Sequence, residues 1–121
     1  SGTAGVIRAN FLAPFPGIDR VTPDFVKATG GQYDDIYWAL WGQYQITYQT
    51  LMNANDNLTR EHFIEKTVNG SFPAGGFAPV KFGGQHFGGT GVYSQVMNCK
   101  KTQPNQGQQG SWDTVGSRID L

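Results

Sequence analysis

The side chains that could perform catalytic or metal chemistry in this chain are few and widely spaced. His62 and His86 each lack a second histidine or a cysteine at the spacing of a metal site. Glu65 lies one helical turn after His62, but two ligands do not make a metal site, and a solvated or capping histidine is the better interpretation. For Cys99 a buried, inert thiol is favoured over a nucleophile, and pairing with a cysteine outside this sequence stays open. We therefore expect no catalytic residue, no metal site, no cofactor and no enzymatic activity.

Acidic and aromatic side chains gather around the start of one predicted helix. Tyr33, Asp34, Asp35 and Tyr37 lie there, with carboxylate acceptors for an ammonium group and ring faces for an apolar side chain. In open α/β sheets, ligands bind beyond the ends of strands and near helix N-termini. Capping carboxylates and core aromatics explain the same residues, and from the residues alone that interpretation is favoured over direct ligand contact.

Composition limits the partners that this chain can bind. Only 38% of its 121 residues are hydrophobic, 15% are charged and 17 are glycine, so a single domain with a thin core is expected. Nine basic and nine acidic residues cancel, which argues against nucleic acid as a partner. No apolar run reaches membrane-spanning length, and the sequence SGTAG at the start is unlike a signal peptide, so any such peptide is expected to have been removed.

The hydrophobic pattern and the helix-capping residues predict three helices and three short strands. The predicted helices begin with Thr22–Pro23, with Asp34 or Asp35, and with Thr59, and they end before Gly30, near Met52 and near Val68. The predicted strands cover residues 4–11, 79–82 and 91–99. From Lys100 the sequence KKTQPNQGQQGS is polar and of low complexity, and we expect it to have nothing to bury.

The long second helix is apolar on more than one side. A stripe at helical spacing is formed by Tyr37, Leu40, Trp41, Tyr44, Tyr48, Leu51 and Met52. Ile36, Trp38 and Ala39 add apolar bulk to the opposite side of its first two turns. A helix that is apolar on both sides must be buried on both sides. We therefore expect this chain to be the terminal portion of a larger α/β domain.

Three segments, in this order, resemble a known protein family. They are AGVIRANFLAPF, DDIYWALWGQYQITYQTLMNANDNLTREHFIEKTVNG and FAPVKFGGQHFGGTGVYSQVMN. Within them Leu58–Glu61, Ala78–Phe82 and Gly91–Val96 are the most similar parts. The set resembles the C-terminal third of the type I periplasmic binding proteins of the Leu/Ile/Val-binding kind, the substrate-binding subunits of ABC importers. Gly42 and Gln43 depart from that pattern, and the segment from Lys100 onward matches nothing in it.

The resemblance implies an α/β fold of two lobes, with helices packed on a mainly parallel sheet and the ligand trapped between the lobes by hinge closure. Residues 1–99 would form the C-terminal α/β portion of a substrate-binding domain, and residues 100–121 a polar C-terminal tail. The remainder of the parent chain would complete the domain. This chain alone is then expected to bind ligand poorly, because a clamp needs both lobes to enclose its ligand.

The implied function is capture of a small polar ligand, an amino acid or a related compound, and its delivery to an ABC permease in the membrane. The implied location is periplasmic or otherwise extracytoplasmic. The residues of this chain expected to face the ligand are Asn10, Phe11, Tyr33, Asp35 and Tyr37. A ligand-sensing domain of a receptor or regulator with the same fold is the alternative, and fusion to a signalling domain would distinguish it.

Overall fold

The computed structural model of this protein describes residues 10–105 and 109–121. Along the chain it contains β1 (Asn10–Ala13), a 3-10 turn (Ile18–Arg20), α1 (Pro23–Ala28), α2 (Asp35–Ala54), α3 (Arg60–Val68), β2 (Ser71–Phe72), β3 (Val80–Lys81), β4 (Gly91–Thr102) and β5 (Gln109–Asp120). The predicted strand at residues 4–11 lies mostly outside the described residues, and its last two positions belong to β1.

The three helices are confirmed, because each begins at a local signal. Pro23 opens α1 after Thr22. The Asp34 carboxylate accepts a hydrogen bond from the Tyr37 backbone N–H and caps α2, and the Thr59 hydroxyl caps α3 in the same way. Helix α2 runs two residues beyond the predicted Met52, to Ala54, and is followed by Asn55, whose φ of 50° places it in the left-handed region.

The prediction of a mainly parallel sheet, and with it of a two-lobed α/β fold, is wrong for the described residues. One sheet has the strand order β1-β4-β5, the other pairs β2 with β3, and each of these pairings is antiparallel. Alternating helices and strands suggested parallel crossovers. The main sheet instead rests on two long strands that follow each other directly, and consecutive strands pair antiparallel through a short connection.

The prediction that the segment from Lys100 onward has nothing to bury is also wrong. Strand β5 lies in that part of the chain, and its Ser111 is fully buried. Gln103, between β4 and β5, is 9% exposed. The polar sequence of β5 gives no hydrophobic strand pattern, because this strand is held by backbone hydrogen bonds to β4, with pairs such as Met97 opposite Trp112.

The core lies between α2, α1 and the loops that follow β1 and β2. Trp38 is its centre, with its ring centroid 4.9 Å from that of Phe25 and 4.7 Å from that of Phe77. The Trp38 indole N–H donates to the Pro16 carbonyl at 2.8 Å, so its polar atom is satisfied inside the core. Gly42, one turn later, lets the Phe77 ring approach the helix backbone. These contacts fix the inner side of α2 and so the position of its N-terminus.

Candidate functional site

The N-terminus of α2 is held against the connection between β4 and β5 by a buried amide. The Gln103 side-chain oxygen accepts a hydrogen bond from the Asp35 backbone N–H at 3.0 Å. Its amide nitrogen donates to Asp35 Oδ2 and to the Gly110 carbonyl, both at 2.8 Å. One side chain thus satisfies a free N–H of the first helical turn and orients the carboxylate beside it.

Asn105 adds a second connection at the same helix end. Its backbone N–H donates to the Tyr33 carbonyl at 2.9 Å, and its side-chain amide approaches Asp34 Oδ2 at 3.4 Å. Since Asp34 also caps the helix through the Tyr37 N–H at 2.9 Å, its two oxygens both accept hydrogen bonds. Asp34 therefore has a structural role, and Asp35 is the carboxylate that faces open space.

That open space is a cleft of about 270 Å³ between the first turns of α2 and the β1-β4-β5 sheet. Its walls are formed by apolar residues and three polar ones, namely Phe11, Phe15, Ile36, Ala39, Leu40 and Trp112 with Asp35, Gln43 and Gln95. The rings of Phe11 and Trp112 meet edge to face, with centroids 4.9 Å apart and planes at 66°. The cleft therefore combines one carboxylate with an aromatic wall.

The Asp35 carboxylate has an unusual acidity in this position. Burial raises its pKa, and the neighbouring negative charge of Asp34 raises it further, whereas the hydrogen bond from Gln103 lowers it, so that the pKa stands at about 6. Among the ion pairs of the described residues none includes Asp35. At neutral pH the cleft thus holds a mostly ionised carboxylate whose charge no described cation balances.

The predicted site residues separate into different places. Phe11 and Asp35 line the cleft together. Asn10 is exposed and, one position along β1 from Phe11, lies on the other face of the sheet. Tyr33 packs on the Phe25 ring at 4.9 Å, so it belongs to the core margin. Tyr37 borders a different groove, of about 370 Å³, between α1 and α2.

Sequence reasoning missed Trp112 and Gln95 in the wall of the cleft, and Gln103, which binds Asp35 from behind it. Trp112 was overlooked because the surrounding polar segment was assigned to a tail, although a tryptophan among glutamines, glycines and serines was a usable signal. Gln95 is almost fully buried on β4 and donates to the Phe15 carbonyl at 2.6 Å. Gln103 is indistinguishable in sequence from the chain's other glutamines. Only the tertiary structure brings these residues to Asp35.

The remaining reactive side chains form no centre in the part of the chain that the structure describes. No group of three or more histidine, cysteine or acidic residues there is arranged to hold a metal ion. His62 Nδ1 and Glu65 Oε2 lie 3.6 Å apart on the surface of α3. Cys99 is exposed, so the prediction of a buried thiol is wrong. In the same described residues, no helix is long and apolar enough to cross a membrane.

Comparison with protein-family models, with curated proteins and with solved structures finds no match to this chain.

Proposed function

We propose that this chain supplies the Asp35 cleft to a binding site that captures a small ligand with an ammonium group, such as an amino acid, without changing it chemically. The observation that carries the proposal is the Asp35 carboxylate, fixed by Gln103 in an aromatic cleft and paired with no cation among the described residues. An ammonium ion there would gain a charge-assisted hydrogen bond, which is stronger than one between neutral groups.

The aromatic wall supports the same class of ligand. Phe11 and Trp112 place ring surface in the cleft that contains the carboxylate, and a cation over an aromatic face gains about 0.5–2 kcal/mol. Ile36 and Leu40 offer apolar surface for the rest of the ligand. A cationic head with an apolar body fits this combination better than an anion or a sugar, because the cleft has a single charged residue and that residue is acidic.

The cleft is small for a complete binding site. Its volume of about 270 Å³ lies just below the usual lower bound of about 300 Å³ for ligand pockets. We infer that further protein, the remainder of a parent chain, closes the site. For the 121-residue chain alone we therefore expect weak binding, with a Kd of about 1 mM, equivalent to about −4 kcal/mol.

The cellular role that we propose is solute capture outside the cytoplasm for an ABC permease. The sequence segments Leu58–Glu61, Ala78–Phe82 and Gly91–Val96 support it through their resemblance to periplasmic binding proteins. A secretion signal in the parent gene, without a signalling domain, would favour uptake. A fused signalling domain would contradict the uptake role and favour ligand sensing.

The test is an NMR titration of the isotope-labelled chain with three related probes. They are leucine, isopentylamine, which lacks the carboxylate, and 4-methylpentanoate, which lacks the amine. We expect leucine and isopentylamine to shift the Asp35 and Trp112 signals, and 4-methylpentanoate to leave them in place. Equal shifts with the acid would refute an ammonium site.

A matched pair of variants assigns the effect to one carboxylate. Asp35→Asn should abolish the shifts caused by isopentylamine, because it removes the charge and keeps the shape. Asp24→Asn removes an exposed carboxylate from the first turn of α1 and should leave the titration unchanged. If both variants bind isopentylamine like the parent chain, the cleft is not the binding site.

A further inference from the structure

A second surface of this protein remains uncovered, on the outer side of α2. We call it the aromatic stripe and define it as Tyr37, Leu40, Trp41, Tyr44, Tyr48, Leu51 and Met52. Trp41 packs partly against the core, and each of the other six is between 45% and 61% exposed. Large apolar side chains exposed side by side mark an interaction surface, whereas single ones scattered over a protein do not.

The spacing within the stripe indicates what kind of element covers it. Tyr37, Trp41, Tyr44, Tyr48 and Leu51 follow one another at alternating steps of four and three residues. This is the heptad spacing of a helix that packs along its length on another helix. A ligand or a flat sheet would require no such continuous seam, so the pattern favours a helix as the partner.

The stripe is also an ordered surface with a receiving groove. The Trp41 and Tyr44 rings lie 5.6 Å apart with planes at 29°, and those of Tyr44 and Tyr48 lie 6.1 Å apart at 22°. Toward the start of α2, Phe25 and Ala28 of α1 form a groove of about 370 Å³ with the stripe. Within residues 10–105 and 109–121, no charged residue lines that groove.

The charge pattern permits the stripe to face itself. Helix α2 carries no charged residue after Asp35, so two copies of its outer side would meet without repulsion. Parallel pairing would bring Asp34 and Asp35 of both copies to one end. Antiparallel pairing separates them by the length of the helix, about 30 Å for its 20 residues, and also opposes the two helix dipoles.

The exposed area suffices for a pair of copies. Six large side chains, each about half exposed, present roughly 100 Å² apiece, so a symmetric contact would bury roughly 1,200 Å² over both copies. That is the lower limit for a specific protein interface, about 1,200 Å². We propose that the aromatic stripe binds the stripe of a second copy of this chain, antiparallel, with the two-fold axis near Tyr44 and Tyr37 opposite the partner's Leu51.

Sedimentation equilibrium of the 121-residue chain tests the association. We expect a species of twice 13.2 kDa at high micromolar concentration that dissociates on dilution. Tyr44→Glu should raise the protein concentration at which half of the dimer dissociates by at least tenfold, because it buries a pair of like charges at the two-fold axis. Phe87→Glu makes the same kind of change at an aromatic residue that is 77% exposed in a loop. For this control the concentration of half-dissociation should stay unchanged. A monomer at every concentration, or a dimer insensitive to Tyr44→Glu, would overturn the proposal.

Disulfide trapping in a Cys99→Ser background tests the orientation. Tyr37→Cys mixed with Leu51→Cys should form the mixed disulfide dimer, whereas each variant alone should cross-link poorly. The reason is that a disulfide requires Cα atoms within about 7 Å, and antiparallel pairing keeps two copies of residue 37 far apart. Efficient cross-linking of Tyr37→Cys with itself would show parallel pairing and overturn the antiparallel arrangement.

Discussion

Replacing Asp35 by asparagine should stabilise this protein at pH 8 and leave its stability at pH 4 nearly unchanged. Asparagine removes the charge and keeps one oxygen that can accept the hydrogen bond from the Gln103 amide, now 2.8 Å long, while an NH2 group replaces the second carboxylate oxygen. The charge is what the fold disfavours, since burial and the neighbouring Asp34 raise the pKa of Asp35 to about 6. The same substitution is expected to abolish ammonium binding, so stability and binding would change in opposite directions.

The sign and size of the effect follow from proton linkage. The folded state holds the Asp35 proton more tightly than the unfolded state, so the stability that Asp35 contributes is complete below pH 4 and is lost as the pH rises through about 6. A rise from 3.8 to about 6 corresponds to about 3 kcal/mol at 1.36 kcal/mol per pKa unit. Asp35 is only half-buried, and solvent screening reduces this to about 1–1.5 kcal/mol. Loss of a negative charge at the helix N-terminus costs about 0.5 kcal/mol, which leaves a net gain of about 0.5–1 kcal/mol at pH 8.

Urea unfolding of the parent chain and of Asp35→Asn between pH 4 and pH 8 measures this difference. The difference between the two stability curves reports the contribution of the Asp35 charge, including its repulsion with the neighbouring Asp34. It should rise between pH 4 and pH 7 and then level off. Asp24→Asn, at the exposed start of α1, should instead be slightly less stable than the parent chain, because it loses only the favourable interaction with the helix dipole. If Asp35→Asn is less stable than the parent at pH 8, attraction to the helix end outweighs desolvation and the reasoning is refuted.

Two further substitutions test the packing that positions the cleft. Gly42→Ala should lower the free energy of unfolding, measured with urea, by about 1–3 kcal/mol, because the new Cβ would lie 2.6 Å from the Phe77 ring. A gain of about 1 kcal/mol instead, as expected for an exposed helix glycine, would show that the contact is absent. Gln103→Leu should lower the free energy of unfolding by about 1–3 kcal/mol, because it leaves the Gly110 carbonyl without this partner. The same variant should raise the pKa of Asp35 above about 6, which carboxyl NMR would detect. An unchanged pKa would contradict the hydrogen bond between Gln103 and Asp35.

The helices of this protein could be predicted from the sequence because their signals are local. Asp34 and Thr59 accept hydrogen bonds from backbone N–H groups within one turn, and Pro23 has a fixed φ that suits the first turn of α1, so each helix begins at a local signal. The aromatic stripe was equally visible, since helical spacing alone places its residues on one side of α2. The resemblance to periplasmic binding proteins stays a prediction, whereas the mainly parallel, two-lobed fold that it implies is contradicted by the antiparallel sheets.

The sheet and the cleft could not be predicted in the same way. Strand β5 is too polar for a hydrophobic pattern to reveal it. The hydrogen bonds that join Gln103 to Asp35 span 68 residues of sequence. No local signal distinguishes Gln103 from any other glutamine.

Sequence by itself therefore determined the helices and the position of the aromatic stripe on α2. The tertiary structure decided that the stripe is exposed, that the strands are antiparallel, that residues 109–120 form a strand, and that Asp35, Phe11 and Trp112 meet in one cleft. The physical reason is that caps and helical periodicity act over one or two turns. Strand pairing and the desolvation of a carboxylate, in contrast, depend on which distant segments the folded chain brings together.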